Sequence, residues 1–284
     1  MRHLLLLLPL ALLLGCPPAG GDDDDSNEEP TPAPRPGPGY SLGDCPTLEA
    51  GDHGFDTALA ERRVRIDLPD EPEGAPVVFV WHWLGGSPDE IMEYIEFEDL
   101  VDEGAIVIAP YSSGLQFEWA FLAPPEDNVD LQVFEDLLTC AQSTWNVDMD
   151  RIYATGMSAG GLMTSYLLLH EAQWLAAAAP LSGGANASSY VTPARLLPVL
   201  LTWGGVDDFA VGFDFNAANI EFSELLQDDF TWVGECVHDD GHVPPDGAKD
   251  YIWEFFEDHP FDLEEEPYAD GLPDSFPDFC ALPE

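Results

Sequence analysis

Five short, almost wholly apolar runs recur along the chain, at residues 75–81, 105–109, 151–157, 176–181 and 197–202. Each is too short for a buried helix and reads as a strand covered on both faces. Residues 62–69 alternate polar and apolar, as a half-buried strand does. Helical patterns fall at 134–143, 160–170 and 246–256. Strands alternating with helices predict an α/β domain built on a mostly parallel sheet with helices on both faces. No internal repeat is visible, and one domain over residues 45–284 is expected.

The N-terminal part reads differently. Arg2 precedes an apolar run from Leu4 to Leu14, too short to span a bilayer and ordered like a signal peptide. Leu13-Leu14-Gly15-Cys16 is similar to the lipobox of bacterial lipoproteins. The resemblance implies a signal over residues 1–15, lipidation of Cys16 and, with Pro17 following, an outer-membrane or cell-surface location. Residues 16–44 carry Asp22-Asp23-Asp24-Asp25 and the run Thr31-Pro32-Ala33-Pro34-Arg35-Pro36-Gly37-Pro38. Such a segment cannot bury a core and is expected to be an extended, solvated tether rather than a calcium site.

Charge restricts the partners. The chain has 55 Asp and Glu against 8 Lys and Arg, a formal net charge of -47. With no basic patch to neutralise phosphates, nucleic-acid binding is excluded as an expectation. The same charge disfavours polyanionic substrates. Cys45, Cys140, Cys236 and Cys280 in an exported chain predict two disulfides, with all three pairings open. No cysteine or histidine grouping has metal-ligand spacing, and neither metal nor cofactor is expected.

The chemistry is signalled at Gly156-Met157-Ser158-Ala159-Gly160, which follows the run at 151–157 and opens a helical pattern. This is G-x-S-x-G in a strand–turn–helix setting, where Ser158 would stand exposed above the sheet edge. A serine hydroxyl becomes nucleophilic only when a histidine takes its proton and a carboxylate orients that histidine. In this architecture the chain order is serine, acid, histidine. Asp207, after the run at 197–202, is taken as the acid, with its neighbour Asp208 as the alternative. His242, in Asp239-Asp240-Gly241-His242, is taken as the base, with His238 as its competitor. The oxyanion needs two backbone donors, expected from Ala159 and from Leu84 (or Trp83) in His82-Trp83-Leu84-Gly85-Gly86. Phe117, Trp119, Phe121, Phe209, Phe213 and Phe215 could line a groove or fill loop cores. Between Ser182 and Leu197 there is little room for a large lid.

Several motifs carry a family resemblance. The stretch from Val147-Asp148 through Arg151-Ile152-Tyr153-Ala154-Thr155 to the serine turn, Ala179-Pro180-Leu181-Ser182-Gly183-Gly184, Gly241-His242-Val243-Pro244-Pro245 and Ile252-Trp253-Glu254-Phe255-Phe256 are those segments. Together they resemble the polyhydroxybutyrate depolymerase and feruloyl esterase branch of the α/β-hydrolases, over about residues 62–260. The resemblance implies an α/β-hydrolase fold, a serine esterase acting on polyhydroxyalkanoate, feruloyl or acetyl esters, and no cofactor. Trp83 and Trp203 depart from the His-Gly pairs usual in that branch, and Trp83 is expected to narrow the acyl pocket or reshape the oxyanion loop. A serine peptidase of the same fold and a non-catalytic polymer-binding lipoprotein are the other classes compatible with these residues.

Overall fold

The computed structural model describes residues 35–114 and 117–283. The expected signal, the lipidation site Cys16 and the acidic run at 22–25 lie outside the described residues. No described helix is long and apolar enough to cross a membrane.

A nine-stranded sheet forms the centre. Its strands in chain order are β1 (Gly51–Asp56), β2 (Glu61–Asp67), β3 (Val77–Trp81), β4 (Ile106–Pro110), β5 (Ile152–Met157), β6 (Ala177–Leu181), β7 (Val199–Trp203), β10 (Val233–Val237) and β11 (Cys280–Ala281). In space they run β1-β2-β4-β3-β5-β6-β7-β10-β11. The six inner strands from β4 to β10 pair in parallel, and antiparallel pairs lie only toward the two edges. A separate two-stranded hairpin, β8 (Phe209–Ala210) with β9 (Phe213–Asp214), follows β7.

The helices are α1 (Pro88–Tyr94), α2 (Val129–Trp145), α3 (Ala159–His170), α4 (Phe215–Asp228) and α5 (Ala248–Asp258). They divide between the two faces. Val77, Phe79 and Trp81 of β3 point into a core with α2, α3 and α4. Val78 and Val80 point the other way, into a core with α1 and α5. Period-two alternation between two apolar cores is why these runs lack polar positions altogether. The expected strands and helices are all present, with ends shifted by a few residues. β1, β11 and the β8–β9 hairpin are too short or too polar to have been marked, and α4 opens inside an aromatic stretch.

Composition misjudged the tether's end. From Arg35 onward the chain is packed on the domain. Arg35 pairs with Asp150 at 2.8 Å and lies over the Phe261 ring, Gly39 N–H donates to Thr139, and Ser41 is held by Asp136 of α2. The Cys45–Cys140 disulfide fastens this strap to α2, and Cys236–Cys280 fastens β11 to β10. These pairings resolve the three-way choice that spacing left open.

One buried carboxylate has a pH consequence. Glu171, at the end of α3, is pushed from its ordinary 4.5 up to about 8, first by burial and then by the nearby Glu135 carboxylate. Between those values the folded protein keeps a proton that the unfolded chain has released, so stability falls as pH rises through this window. Glu171→Gln, which mimics the protonated acid, is expected to match the parent below pH 4.5. At pH 8 it should exceed the parent by on the order of a few kcal/mol. Urea unfolding at the two pH values measures the difference; a gap independent of pH would refute it.

Candidate active site

The loops that follow β3, β5, β7 and β10 at their C-terminal ends converge on one crevice, the usual place for ligands on an open parallel sheet. Ser158 sits between β5 and α3 with φ +61° and ψ −117°, a conformation costly for a residue with a Cβ. The sharp turn needs a bare backbone beside it: a Cβ on Gly160 would lie 1.8 Å from the Trp81 carbonyl oxygen. Although it stands at the helix N-cap, the Ser158 side chain caps nothing. Its Oγ lies 2.8 Å from His242 Nε2 instead.

His242 is oriented from its other nitrogen. Nδ1 lies 2.6 Å from Oδ1 of Asp208. The aspartate expected here, Asp207, is exposed in the short turn Gly205–Asp207, and its side chain has no part in this arrangement. The difference comes from that turn: Asp208 N–H closes it onto the Gly205 carbonyl, which carries the next side chain inward. Asp208 is fully buried, and its Oδ2 accepts from Ser182 Oγ at 2.7 Å and Gly204 N–H at 2.9 Å. A buried carboxylate with its lone pairs so occupied is fixed in direction. Acid loop and base loop touch directly, since a Cβ on Gly204 would lie 1.8 Å from the Gly241 carbonyl oxygen. Phe215 stacks on the His242 ring at 4.3 Å between centroids. Sequence reasoning gave no role to Ser182 and offered Phe215 only as a groove or loop-core residue, because both support the histidine and its acid through contacts between distant loops.

His238, the competing base, is buried, and its Nδ1 accepts from Asp240 N–H at 3.3 Å. Burial holds its pKa below the ordinary histidine value. It is a structural histidine within the base loop.

Leu84 and Ala159 border the same cavity as Ser158. Neither of their N–H groups is taken by an acceptor among the described residues. The loop bearing Leu84 is held on both sides. His82 donates from Nδ1 to the Trp83 carbonyl at 2.9 Å and accepts at Nε2 from Ser112 N–H at 3.3 Å, a neutral tautomer consistent with burial lowering its pKa. Trp119 Nε1 donates to the His82 carbonyl at 2.8 Å. Glu118 accepts Gly85 N–H at 2.9 Å with one oxygen and Ser112 Oγ–H with the other. Glu118 is thus a positioning residue for the loop. Glu118→Ala is expected to lower kcat between about ten- and a hundredfold with little change in KM. Glu118→Gln, which can accept from Gly85 and donate to Ser112, should recover most of it. Equal losses in both variants would remove the positioning role.

Of the aromatic residues singled out, Phe117, Phe121, Phe213 and Phe215 line an apolar cavity of about 180 Å³ at Ser158. Trp119 is core, edge-on to Trp81, and Phe209 is exposed on the hairpin. The segment carrying Phe117 and Phe121 is anchored by Ala120, whose N–H and carbonyl are bound by Asp130 and Asn128 at the start of α2. Asp130 in turn pairs with buried Arg62 at 2.7 Å. Trp83 lies outside that cavity. It borders a second one, of about 290 Å³, with Tyr94, His242 and Pro244. No metal-binding cluster of His, Cys, Asp or Glu occurs among the described residues.

Comparison with known proteins finds esterases and the same fold. The family model described as the prolyl oligopeptidase family matches residues 95–210, which include Ser158 and Asp208 but end before His242. A putative esterase, NocK, of Nocardia uniformis subsp. tsuyamanensis is 28% identical over 145 residues, 49% of this chain and 42% of that protein. A probable feruloyl esterase C of Aspergillus niger is 30% identical over 151 residues, 50% of this chain and 52% of that protein. The chain thus spans about half the length of these curated relatives. The solved structure of native pOPH superposes with a TM-score of 0.67 at 18% identity, covering 85% of this chain and 98% of that one. Sheet order, the strained serine turn and these similarities together give the chain an α/β-hydrolase fold, and the relatives it resembles are named as esterases.

Proposed function

We propose that this protein is an exported serine esterase, anchored by lipid at Cys16, that cleaves carboxylic esters through Ser158, His242 and Asp208. The observation that carries the proposal is the continuous hydrogen-bonded chain from Ser158 Oγ through both ring nitrogens of His242 to the buried carboxylate of Asp208. Ser158 Oγ attacks the ester carbonyl as His242 Nε2 takes its proton. The N–H groups of Ala159 and Leu84 receive the oxyanion. His242 returns the proton to the leaving alcohol, and water then releases the acyl group by the same path. No cofactor enters these steps. Substrates of the polyhydroxyalkanoate, feruloyl or acetyl ester type suit a site with apolar walls and, among the described residues, no large cap, and the net charge disfavours polyanionic ones.

A serine peptidase is the second reading, favoured by the match to the prolyl oligopeptidase family model. Matched substrates separate the two. With one acyl group presented as an ester and as an amide, the esterase reading expects turnover of the ester alone. A fluorophosphonate tag on Ser158, found by peptide mass spectrometry, would establish the activated nucleophile. Absence of a tag on folded, oxidised protein would support a polymer-binding lipoprotein instead.

A further inference from the structure

Two cavities meet at Ser158, and only one of them touches His242. His242 must hand its proton to the departing alkoxide, so the leaving alcohol belongs on the side of His242, Trp83 and Tyr94. The acyl group then falls in the apolar cavity of Phe117, Phe121, Leu162 and Phe213. Trp83 therefore bears on the alcohol, contrary to the expectation that it narrows the acyl side. The β8–β9 hairpin divides the two sides: Ala210 and the exposed Val211 at its turn border both cavities.

The acyl cavity does not end at Phe213. A third cavity of about 190 Å³ adjoins it, sharing Phe121, Leu122, Leu162 and Phe213 as common walls. Either one is smaller than the roughly 300 Å³ at which ligand sites ordinarily begin, and together they exceed it. The far cavity changes character. Beyond Tyr166 and Leu169 it is closed by Asn186, Ser188 and Ser189 on an exposed loop. The Tyr166 hydroxyl already donates to the Ala123 carbonyl at 2.6 Å, so the polar groups on offer come from that loop. The Asn186 side-chain N–H₂ is bound by no partner among the described residues, whereas its Oδ1 holds Ser188.

We infer that these two cavities form one acyl groove selecting esters of elongated acids, apolar along their length and carrying a hydrogen-bonding group at the far end. The inference rests on the esterase reading and adds the acid it prefers. Leu162 and Phe213, at the junction, set how long an acyl group is accepted, and the loop at 186–189 reads its end.

The test compares p-nitrophenyl acetate, octanoate and ω-hydroxyoctanoate on the full chain, by kcat/KM. The parent should prefer ω-hydroxyoctanoate to octanoate by about fivefold, the worth of one hydrogen bond. Leu162→Trp, which fills the junction, should lower the octanoate-to-acetate ratio by about tenfold or more. Asn186→Ala with Ser189→Ala, on an exposed loop where folding is not at risk, should bring the hydroxyl preference close to one. Fluorophosphonate labelling of Ser158 certifies an assembled site in every variant. If Leu162→Trp fails that check, the loop variant decides alone. An unchanged chain-length ratio in a labelled Leu162→Trp, or an undiminished or absent hydroxyl preference, overturns the groove while acetate turnover leaves the esterase reading standing. No turnover of any ester by the labelled parent sinks both.

Discussion

Ser158→Ala is expected to lower kcat for ester hydrolysis by on the order of 10⁵-fold or more, with circular dichroism unchanged. Alanine keeps the turn but removes the only atom able to form the acyl-enzyme. His242→Ala should cost a similar amount, because an unassisted hydroxyl at neutral pH is almost inert. The informative measurement is the double variant. The two groups work as one unit, so removing both should be no worse than removing either. Residual turnover would then reflect binding and the oxyanion donors, worth on the order of 10³–10⁴ over water. A Ser158→Ala protein that loses less than tenfold would mean that the hydrogen-bonded chain seen at the crevice is not the reacting centre.

Such a prediction could be framed from sequence because certain residues have no alternative use. A glycine on either side of Ser158 is dictated by a turn where the Trp81 carbonyl comes too close for any Cβ. The parallel strands were equally visible: β3, β4, β5, β6 and β7 are buried at every position, and burial on two faces leaves an uninterrupted apolar run. What escaped notice depends on distance relations that no local pattern carries. The β8–β9 hairpin has two residues in each strand and turns at Val211-Gly212, with Val211 at φ +52°, so neither alternation nor turn composition marks it. Yet it divides the crevice. Glu118 reads as one more surface acid in a chain with 55 acidic residues, and only its contacts with Gly85 and Ser112 set it apart. Residues 35–44 look like linker by composition, but Thr139, Asp136 and the Cys140 disulfide hold them down.

The acid shows where a local reading stops. Asp207 and Asp208 are chemically identical neighbours, and strand-end position suits both. Backbone geometry separates them by putting one in solvent and the other fully buried against His242, Ser182 and Gly204. Asp208→Asn is expected to lower kcat by about 10⁴-fold. An asparagine amide at Oδ1 would meet Nδ1–H with a donor, and turning the amide over would set the donor against the Ser182 hydroxyl and Gly204 N–H. The imidazole would settle with its proton on Nε2, pointing at the nucleophile it should deprotonate. Asp207→Asn removes an exposed charge and should change kcat by less than about twofold, as surface substitutions away from a site do. Ser182→Ala lies between them: Asp208 stays but loses one of its three donors, which costs about 1–3 kcal/mol in hold on the carboxylate. A large loss in Asp207→Asn with Asp208→Asn near parental activity would return the role to Asp207 and require the Gly205–Asp207 turn to open in solution.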